Sequence, residues 1–313
     1  MIQTAASVRL PVDETLTILK NRLQPLSPSG KEKRICICTG IHGDELEGQY
    51  VCYELSRRIQ AEPENLTGIV DIYPALNPMG VDSITRGIPM FDLDMNRIFP
   101  GNSDGAVQER IAAKVIEDLT GADYALDIHA SNIYLQEIPQ ARVNVNTSEK
   151  LLPYAKLLGL DFIWIHAAAT VLESTLAHSL NSIGVPTIVV EMGVGMRITK
   201  AYGDRLVNGI LNLMKHEGLW QGAVEPVREP IVSSDGKVGF VNAGASGVFL
   251  PCVEHWKHIE EGQALGDIID PLSGTVLQHV VSPCSGMVFT LREYPVVYSG
   301  SLVARVLGGV SLA

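Results

Sequence analysis

Residues 34–59 read RICICTGIHGDELEGQYVCYELSRRI. The stretch begins with a short apolar run, 34–39, passes through a loop that contains Gly40 and Gly43, and continues into a segment, 46–59, with apolar residues at helical spacing. A strand followed at once by a helix is the unit from which α/β domains are built. The stretch therefore predicts one strand–loop–helix unit of an α/β fold.

The same alternation continues to about residue 220. Further short apolar runs, mostly rich in isoleucine and valine, lie at 68–73, 124–128, 162–165 and 187–191. Helical spacing of apolar residues recurs at 107–119, 150–158, 170–183 and 201–213. Such runs are typical of strands that are buried on both faces of a parallel sheet. We expect a mixed, mostly parallel sheet with helices on both faces.

The sequence changes character after Leu219. Residues 221–230 contain two prolines and no clear period, which predicts a linker. From residue 238 onward the segments are short, β-branched and separated by glycine-containing turns, which is typical of a small all-β domain. The predicted division is an α/β domain at 1–220, a linker at 221–230 and a β-rich domain at 231–313.

The composition excludes several classes of partner. With 24 basic and 35 acidic residues the formal net charge is −11, so the chain offers no electrostatic case for nucleic acid or an anionic membrane. Residues 1–10 lack the pattern of a secretory signal, and no apolar run is long enough to span a bilayer. The five cysteines form no Cys-x-x-Cys pair, which is typical of reduced thiols in a cytoplasmic protein.

Three polar residues that come after predicted strands form a candidate metal site. His42 and Glu45 come after the run 34–39, in a loop that Gly43 relaxes, and His129 comes after the apolar residues 124–126. Two histidines and one carboxylate leave a coordination position for water, which is the ligand set of a catalytic zinc. Asp127 is placed either to orient His129 or to cap a neighbouring loop. The alternatives for the ligands are a helix-capping role for Asp44 or Glu45 and a core role for His129.

Glu191 ends the apolar run 187–190, where a carboxylate is costly unless it is paired or has a function. The functional interpretation is a general base that takes a proton from a metal-activated water. The alternative is a salt bridge, for which Arg197 is a partner six residues away. His166, at another strand end, is a weaker candidate for the same site.

The segment 92–97, DLDMNR, resembles the start of a calcium loop, but Arg97 stands where that loop needs glycine and Ser103 where it needs glutamate. We interpret Asn96 and Arg97 instead as a pair that recognises a carboxylate, since the guanidinium fork matches its two oxygens. Arg86 is a second cation of the same loop and is suited to polarise a carbonyl. The alternative for each arginine is an exposed, solvated side chain.

Taken in order, these motifs resemble the zinc carboxypeptidase superfamily and, within it, the succinylglutamate desuccinylase/aspartoacylase family. The matching pieces are Gly40-Ile41-His42-Gly43-Asp44-Glu45, Asn77-Pro78, Thr85-Arg86, Asp94-Met95-Asn96-Arg97-Ile98-Phe99-Pro100-Gly101, Asp127-Ile128-His129 and Glu191-Met192-Gly193. The C-terminal segment resembles the biotinyl-like β module of many members. It has no Met-Lys attachment site, so neither lipoylation nor biotinylation is expected.

The resemblance implies a hydrolase that cleaves the amide bond of a small N-acyl amino acid. It implies one zinc ion bound by His42, Glu45 and His129. It assigns Glu191 as general base and acid and Arg86 as the carbonyl-polarising group. It assigns binding of the substrate α-carboxylate to Asn96 and Arg97.

The substrate side chain and the remaining contacts are less specified. Aspartoacylases place an arginine about ten positions before the catalytic glutamate, whereas Asn181 stands at that offset here, which argues against acyl-aspartate and acyl-glutamate. Arg197 is expected to supply another cation to the substrate, with a structural ion pair as the alternative. A tyrosine of the C-terminal segment, Tyr294 or Tyr298, is expected to correspond to one that the family places in the site.

Two other functions remain open from sequence. A zinc carboxypeptidase would use the same residues on the C-terminal bond of a peptide, although the β domain would crowd a long substrate. A metal- or ligand-binding protein without catalysis is the non-enzymatic alternative. The family also tends towards homo-oligomers.

Overall fold

A computed structural model of the chain describes residues 1–167, 173–234 and 237–309. The α/β part contains eight strands: β1 (Ile2–Arg9), β2 (Thr15–Leu23), β3 (Arg34–Thr39), β4 (Ile69–Tyr73), β5 (Tyr124–Ala130), β6 (Leu135–Asn144), β7 (Phe162–His166) and β8 (Thr187–Gly193). Its helices are α1 (Glu47–Ala61), α2 (Pro78–Ser83), α3 (Val107–Leu119), α4 (Ser148–Lys156), α5 (Leu176–Ser182) and α6 (Lys200–His216). No helix of the described ranges is long and apolar enough to cross a membrane.

The C-terminal part is built from short strands. They are β9 (Ile231–Ser234), β10 (Val238–Asn242), β11 (Gly247–Pro251), β12 (His258–Ile259), β13 (Ala264–Asp270), β14 (Thr275–Val281), β15 (Gly286–Arg292), β16 (Val296–Val297) and β17 (Leu302–Gly308). The strands β14, β13, β11 and β16 form a separate antiparallel sheet in that order. The described residues of the predicted linker, 221–230, carry no helix or strand.

The large sheet is mixed, as predicted. Its main path runs β1-β2-β4-β3-β5-β8-β6-β15-β17-β10, and β7, β9 and β12 attach beside it. Parallel pairing joins β4, β3, β5 and β8 at the centre, and β6, β7 and β9 at one side. The expectation of a mostly parallel sheet is therefore right only for these strands, because an N-terminal hairpin and the C-terminal strands extend the sheet with antiparallel pairs.

Helices cover both faces of the sheet, and the side chains of β3 point alternately towards the two helical layers. Ile35 and Ile37 point into a core that also contains residues of α1, α4 and α6. Cys36 and Cys38 point into a second core with residues of α3, α5 and the β1–β2 hairpin. Successive side chains of a strand face opposite sides, so a strand between two helical layers must be apolar throughout.

Besides its separate sheet, the C-terminal part contributes strands to the large sheet. Strand β15 pairs with β6, and β9 pairs with β7, so strands from residue 231 onward continue the large sheet. A hydrophobic cluster likewise joins Phe162 and Trp164 to Met287 and Phe289. The β-rich character of the C-terminal part is as expected from sequence, whereas the domain boundaries at 220 and 231 stay a prediction, since one sheet passes across them.

Candidate active site

The site lies at the carboxyl edge of the parallel strands. His42 follows β3, His129 lies in β5, and Glu191 lies in β8 directly opposite His129 in the ladder. Asp127 and Val189 precede these two residues by two positions and are also paired. Residues two apart on a strand share a face, so these four side chains project into one space. This is the edge at which open α/β sheets bind ligands.

The three predicted metal ligands meet in this space. One donor atom from each of His42, Glu45 and His129 lies within 4.8 Å of the other two, and all three residues are buried. His129 Nδ1 is 2.9 Å from Glu45 Oε2. His42 Nδ1 is 2.7 Å from Glu45 Oε1 but makes no hydrogen bond. A buried nitrogen without a hydrogen bond, His42 Nδ1, beside two further ligand atoms fits a site that a metal ion would complete.

The outer nitrogens of both histidines face carboxylates. His42 Nε2 lies 3.0 Å from Asp94 Oδ1, and His129 Nε2 lies 3.2 Å from Asp127 Oδ1. Carboxylates in this position orient metal-binding histidines. Burial acts to raise the pKa of Glu45, but the two histidines outweigh it and bring the pKa to about 2, so this ligand is ionised. The donor set therefore fits a zinc ion.

The loop that carries His42 leaves no room for a side chain at Gly43. A Cβ there would lie 1.9 Å from the carbonyl carbon of Gly80 in α2. The Gly43 amide also donates to the Arg86 carbonyl oxygen at 3.3 Å. The loop is thus packed directly against the segment that supplies Arg86.

Arg86 is connected to the site through Glu45, one of the predicted metal ligands. Its Nη1 donates to Glu45 Oε1 at 2.8 Å, and its Nη2 lies 3.5 Å from Asp94 Oδ2. The Arg86 side chain is 41% exposed and lines the cleft, so part of its guanidinium faces the solvent-filled space. Its position agrees with the predicted polarising role, which stays a prediction.

Asn96 and Arg97 also line the cleft. The Asn96 side chain accepts a hydrogen bond from the Leu176 amide at 2.9 Å and so ties its loop to the start of α5. Arg97 is exposed, and its Nη1 donates to the Asn96 carbonyl oxygen at 2.8 Å. Within the described residues Arg97 forms no ion pair with an acidic side chain, which leaves its charge available to an anion.

Glu191 pairs with an arginine that the sequence did not indicate. Arg142 Nη1 lies 3.2 Å from Glu191 Oε1, and Arg142 Nη2 lies 3.2 Å from Glu137 Oε1. Glu137 also accepts a hydrogen bond at 2.7 Å from Arg305 of the C-terminal part. Burial raises the pKa of Glu191, and the charge of Arg142 opposes that rise. The anticipated salt bridge of Glu191 thus exists, but its partner is Arg142.

Arg197 is not brought to the cleft. Its Nη1 lies 2.7 Å from Glu293 Oε1, and 66% of its side chain is exposed. The ion pair that was the alternative is therefore present, and the predicted contact with substrate stays a prediction.

Of the C-terminal tyrosines and the other histidines considered from sequence, only His166 lines the cleft among the described residues. Tyr294 packs edge-on against Tyr134, a lining residue, with 5.8 Å between ring centroids. Tyr298 is 73% exposed. His166 lines the cleft, whereas His255 Nε2 contacts the Phe289 carbonyl oxygen at 2.8 Å. The cleft encloses about 570 Å³.

Comparison with known proteins agrees with this geometry. A model of the family described as "Succinylglutamate desuccinylase/Aspartoacylase catalytic domain" matches residues 31–217. The chain belongs to this family. The resemblance inferred from the motifs is thus confirmed, and the matched range contains all eight predicted site residues.

One relative matches in sequence, and solved structures share the fold. An N-alpha-acetyl-L-2,4-diaminobutyric acid deacetylase of Halomonas elongata is 30% identical over 240 residues, which cover 74% of this chain and 69% of that protein. The product-bound ectoine utilization protein EutE (DoeB) of Ruegeria pomeroyi aligns with a TM-score of 0.81 at 21% identity, over 97% of this chain and 93% of that one. A succinylglutamate desuccinylase/aspartoacylase of Rhodobacter sphaeroides aligns with a TM-score of 0.81 at 24% identity, over 97% and 95%.

Proposed function

We propose that the protein is a zinc-dependent deacylase that hydrolyses the amide bond of an N-acyl amino acid. The observation that carries the proposal is the convergence of a buried His42–Glu45–His129 donor set with Glu191, which lies across one strand pair from His129. Metal ligands beside an arginine-paired, buried carboxylate are the groups that water-mediated amide hydrolysis needs. The activity named for the Halomonas elongata relative supports this reaction class.

The arginines of the cleft bind and polarise the substrate in this proposal. Arg97, exposed and without an acidic partner in the described part of the chain, binds the α-carboxylate, and Asn96 fixes the loop that carries it. Arg86 presents positive charge next to Glu45, where negative charge develops on the carbonyl oxygen. These contacts hold the amide between the donor set and Glu191.

Glu191 moves the proton. Zinc, when bound by the three ligands, supplies a water whose pKa is lowered to about 7. The Glu191 carboxylate accepts a proton from the attacking water and delivers it to the leaving amine as the C–N bond breaks. One water is consumed, and the products are a carboxylic acid and a free amino acid. Arg142 keeps the Glu191 carboxylate facing the cleft.

Amine release tests the proposal. Purified protein would be incubated with N-acetyl and N-succinyl amino acids and with N-blocked dipeptides, before and after chelation and after zinc is returned. We expect chelator-sensitive release from the acyl amino acids that zinc restores. Release only from the dipeptides would instead make the protein a carboxypeptidase, and ligand binding without turnover would make it a non-catalytic protein.

The variant Glu191→Gln refines the test. We expect it to bind zinc in the wild-type ratio but to lose about 10²–10⁴-fold in rate, the usual contribution of a general acid–base group. Glu64→Gln is a matched control, because Glu64 is exposed next to the opposite edge of the sheet, before β4. Full activity in the Glu191→Gln variant would remove this residue from the mechanism.

A further inference from the structure

A fully buried carboxylate, Glu137 of β6, lines the cleft beside the proposed general base. Each of its two oxygens accepts hydrogen bonds from two side chains. Arg142 Nη2 and Arg305 Nη1 donate to Oε1, at 3.2 and 2.7 Å. The Gln140 side-chain amide and the Thr290 hydroxyl, the latter at 3.1 Å, donate to Oε2. Arg305 and Thr290 belong to the C-terminal part, which therefore helps to hold a carboxylate of the cleft wall.

Strand register explains how the C-terminal part reaches Glu137. Glu137 pairs directly with Thr290 of β15, and Thr290 pairs directly with Arg305 of β17. Side chains of directly paired residues lie next to each other on one face of a sheet. The three side chains thus form a row that crosses from the α/β part into the C-terminal part.

A bulge in β6 brings Glu137 to the face that carries Arg142. Glu137 pairs with Gly193 of β8. Gln140 pairs with Glu191, so three steps along β6 match two steps along β8. The extra residue shifts the alternation of side chains by one position, which places Glu137 on the face of Gln140. Arg142, two residues beyond Gln140, shares that face, so the row continues towards Glu191.

Arg142 is shared between Glu191 and Glu137. Its Nη1 lies 3.2 Å from Glu191 Oε1, and its Nη2 lies 3.2 Å from Glu137 Oε1. Its Nε is buried and makes no hydrogen bond with the described residues. The two carboxylates, together with the Trp164 ring whose centroid is 5.6 Å away, therefore orient the guanidinium. The position of Arg142 depends on how strongly each carboxylate attracts it.

Arg305 weakens the attraction from one of the two carboxylates. It brings a second positive charge to Glu137 Oε1, and its guanidinium is held 5.5 Å from the centroid of the Trp164 ring. A buried carboxylate that keeps only one counter-charge draws that charge closer, since an incompletely paired charge is costly in the interior. If Arg305 were removed, Arg142 would turn towards Glu137. The contact between Arg142 and Glu191 would then be lost.

We propose that Arg305 is a positioning residue for Glu191. It neutralises Glu137, so that Arg142 stays in contact with the Glu191 carboxylate. This inference rests on the proposed deacylase activity, in which Glu191 moves the proton. It assigns to the C-terminal part, through β17, a contribution to the rate of the reaction.

A double-mutant cycle tests the proposal. Arg305→Met, Glu137→Gln and the double variant would be assayed with the N-acyl amino acid that the wild-type protein hydrolyses fastest. We expect Arg305→Met to lower kcat and kcat/KM equally, about tenfold, because the lost contact acts on Glu191 and not on substrate binding. Arg305→Lys keeps the positive charge and should recover part of the loss.

The double variant distinguishes positioning from other roles. In Glu137→Gln the neutral amide no longer competes for Arg142, so adding Arg305→Met should cost no further activity. Losses that multiply would show that Arg305 does not act through Glu137. A higher KM at unchanged kcat would make Arg305 a substrate contact instead. Either result would overturn the inference.

Arg57→Met is the matched control. Arg57 shares the buried carboxylate of Glu54 with Arg58, and it lies on α1 and lines a groove other than the cleft. The substitution therefore removes one of two arginines from a buried glutamate, as Arg305→Met does, and should leave kcat unchanged. Zinc content and thermal unfolding would be measured for every variant.

Two further results separate this inference from the deacylase proposal. An active wild-type protein with unchanged kcat in Arg305→Met would overturn the inference alone, whereas a wild-type protein that hydrolyses no acyl amino acid would defeat both. If Arg305→Met does not fold, the same cycle is run with Arg305→Lys. Its loss is expected to be smaller, about threefold, and again absent when residue 137 is glutamine.

Discussion

Glu191 and Arg142 show how the site accommodates buried charged side chains. The carboxylate of Glu191 lines the cleft, and the guanidinium of Arg142 that faces it also contacts Glu137, which Arg305 contacts in turn. Two arginines and two glutamates thus neutralise one another. Burial raises the pKa of Glu191, and the charge of Arg142 limits that rise, which favours the ionised form that the proposed general base requires.

Replacing Arg142 should therefore change the pH dependence of catalysis. Burial raises the pKa of Glu191 and Arg142 opposes that rise. In Arg142→Met the opposing charge is gone, so the pKa rises further and the ionised base appears only at higher pH. We expect the acid limb of the kcat/KM profile to move to higher pH, with partial recovery in Arg142→Lys. A uniform loss at every pH, without recovery by lysine, would indicate a merely structural role.

The candidate ligands could be predicted because each lies at or shortly after the end of an apolar run in the sequence. Arg142 could not, because it lies 49 residues before Glu191 in sequence and meets it only through the pairing of β6 with β8. Arg197 is much nearer in sequence but contacts Glu293, since β8 ends at Gly193 and the Met196 amide then binds the Asp44 carbonyl oxygen. Sequence proximity to Glu191 therefore did not predict its partner.

At the scale of elements, a buried charge network attaches the N-terminal hairpin to the sheet. Asp71 of β4 is fully buried and binds Arg22 of β2 through two hydrogen bonds, at 2.7 and 2.6 Å. Lys20 and Arg34 approach the same carboxylate at 3.4 and 3.3 Å. A buried carboxylate with three cations around it is stabilising only while it is ionised.

Asp71→Asn should lower stability and flatten its dependence on pH. Burial acts to raise the pKa of Asp71, but Arg22, Lys20 and Arg34 outweigh it and hold the pKa below its usual range. The network's contribution is complete above the unfolded value of about 3.9 and is lost as the pH falls through the folded value. We expect Asp71→Asn to cost about 3–5 kcal/mol at pH 7 and less at pH 3, measured by urea unfolding. An equal cost at both pH values would contradict the linkage.

Helices and strands could be predicted where the hydrophobic pattern of the sequence matches the burial of the residues in the structure. The predicted helix at 107–119 coincides with α3, and the predicted strand at 34–39 coincides with β3. Strand β6 was missed because it contains Pro139 and the polar residues Glu137, Gln140 and Arg142, which interrupt the apolar pattern. Glu137 and Arg142 line the cleft. The predicted helix at 170–183 includes residues 170–172, which lie outside the described ranges, and α5 begins at Leu176.

At the scale of the whole molecule, the two parts of the chain share a sheet, a core and part of the site. The guanidiniums of Arg142 and Arg305 both lie against Trp164, 5.6 and 5.5 Å from the centroid of its ring. Phe289 of the C-terminal part contacts the same ring edge-on, with 5.7 Å between centroids. The change in sequence pattern at residue 220 predicted an α/β part followed by a β-rich part. Sequence patterns carry no signal for the β6–β15 pairing, which joins residues about 150 positions apart.

Because of this shared core, the chain should unfold as one cooperative unit. Phe289 is fully buried among Phe162, Trp164 and Leu307, so Phe289→Ala should cost about 3–5 kcal/mol through the cavity that it leaves. We expect one urea transition whose midpoint moves to a lower urea concentration, by the same amount in tryptophan fluorescence and in far-UV circular dichroism. Tyr298→Ala, exposed in the same part of the chain, is the control and should leave the midpoint unchanged. A shared sheet cannot lose one side and keep the other intact, so a single transition is expected. Two separate transitions, with the substitution moving only one of them, would mean that the C-terminal strands fold independently.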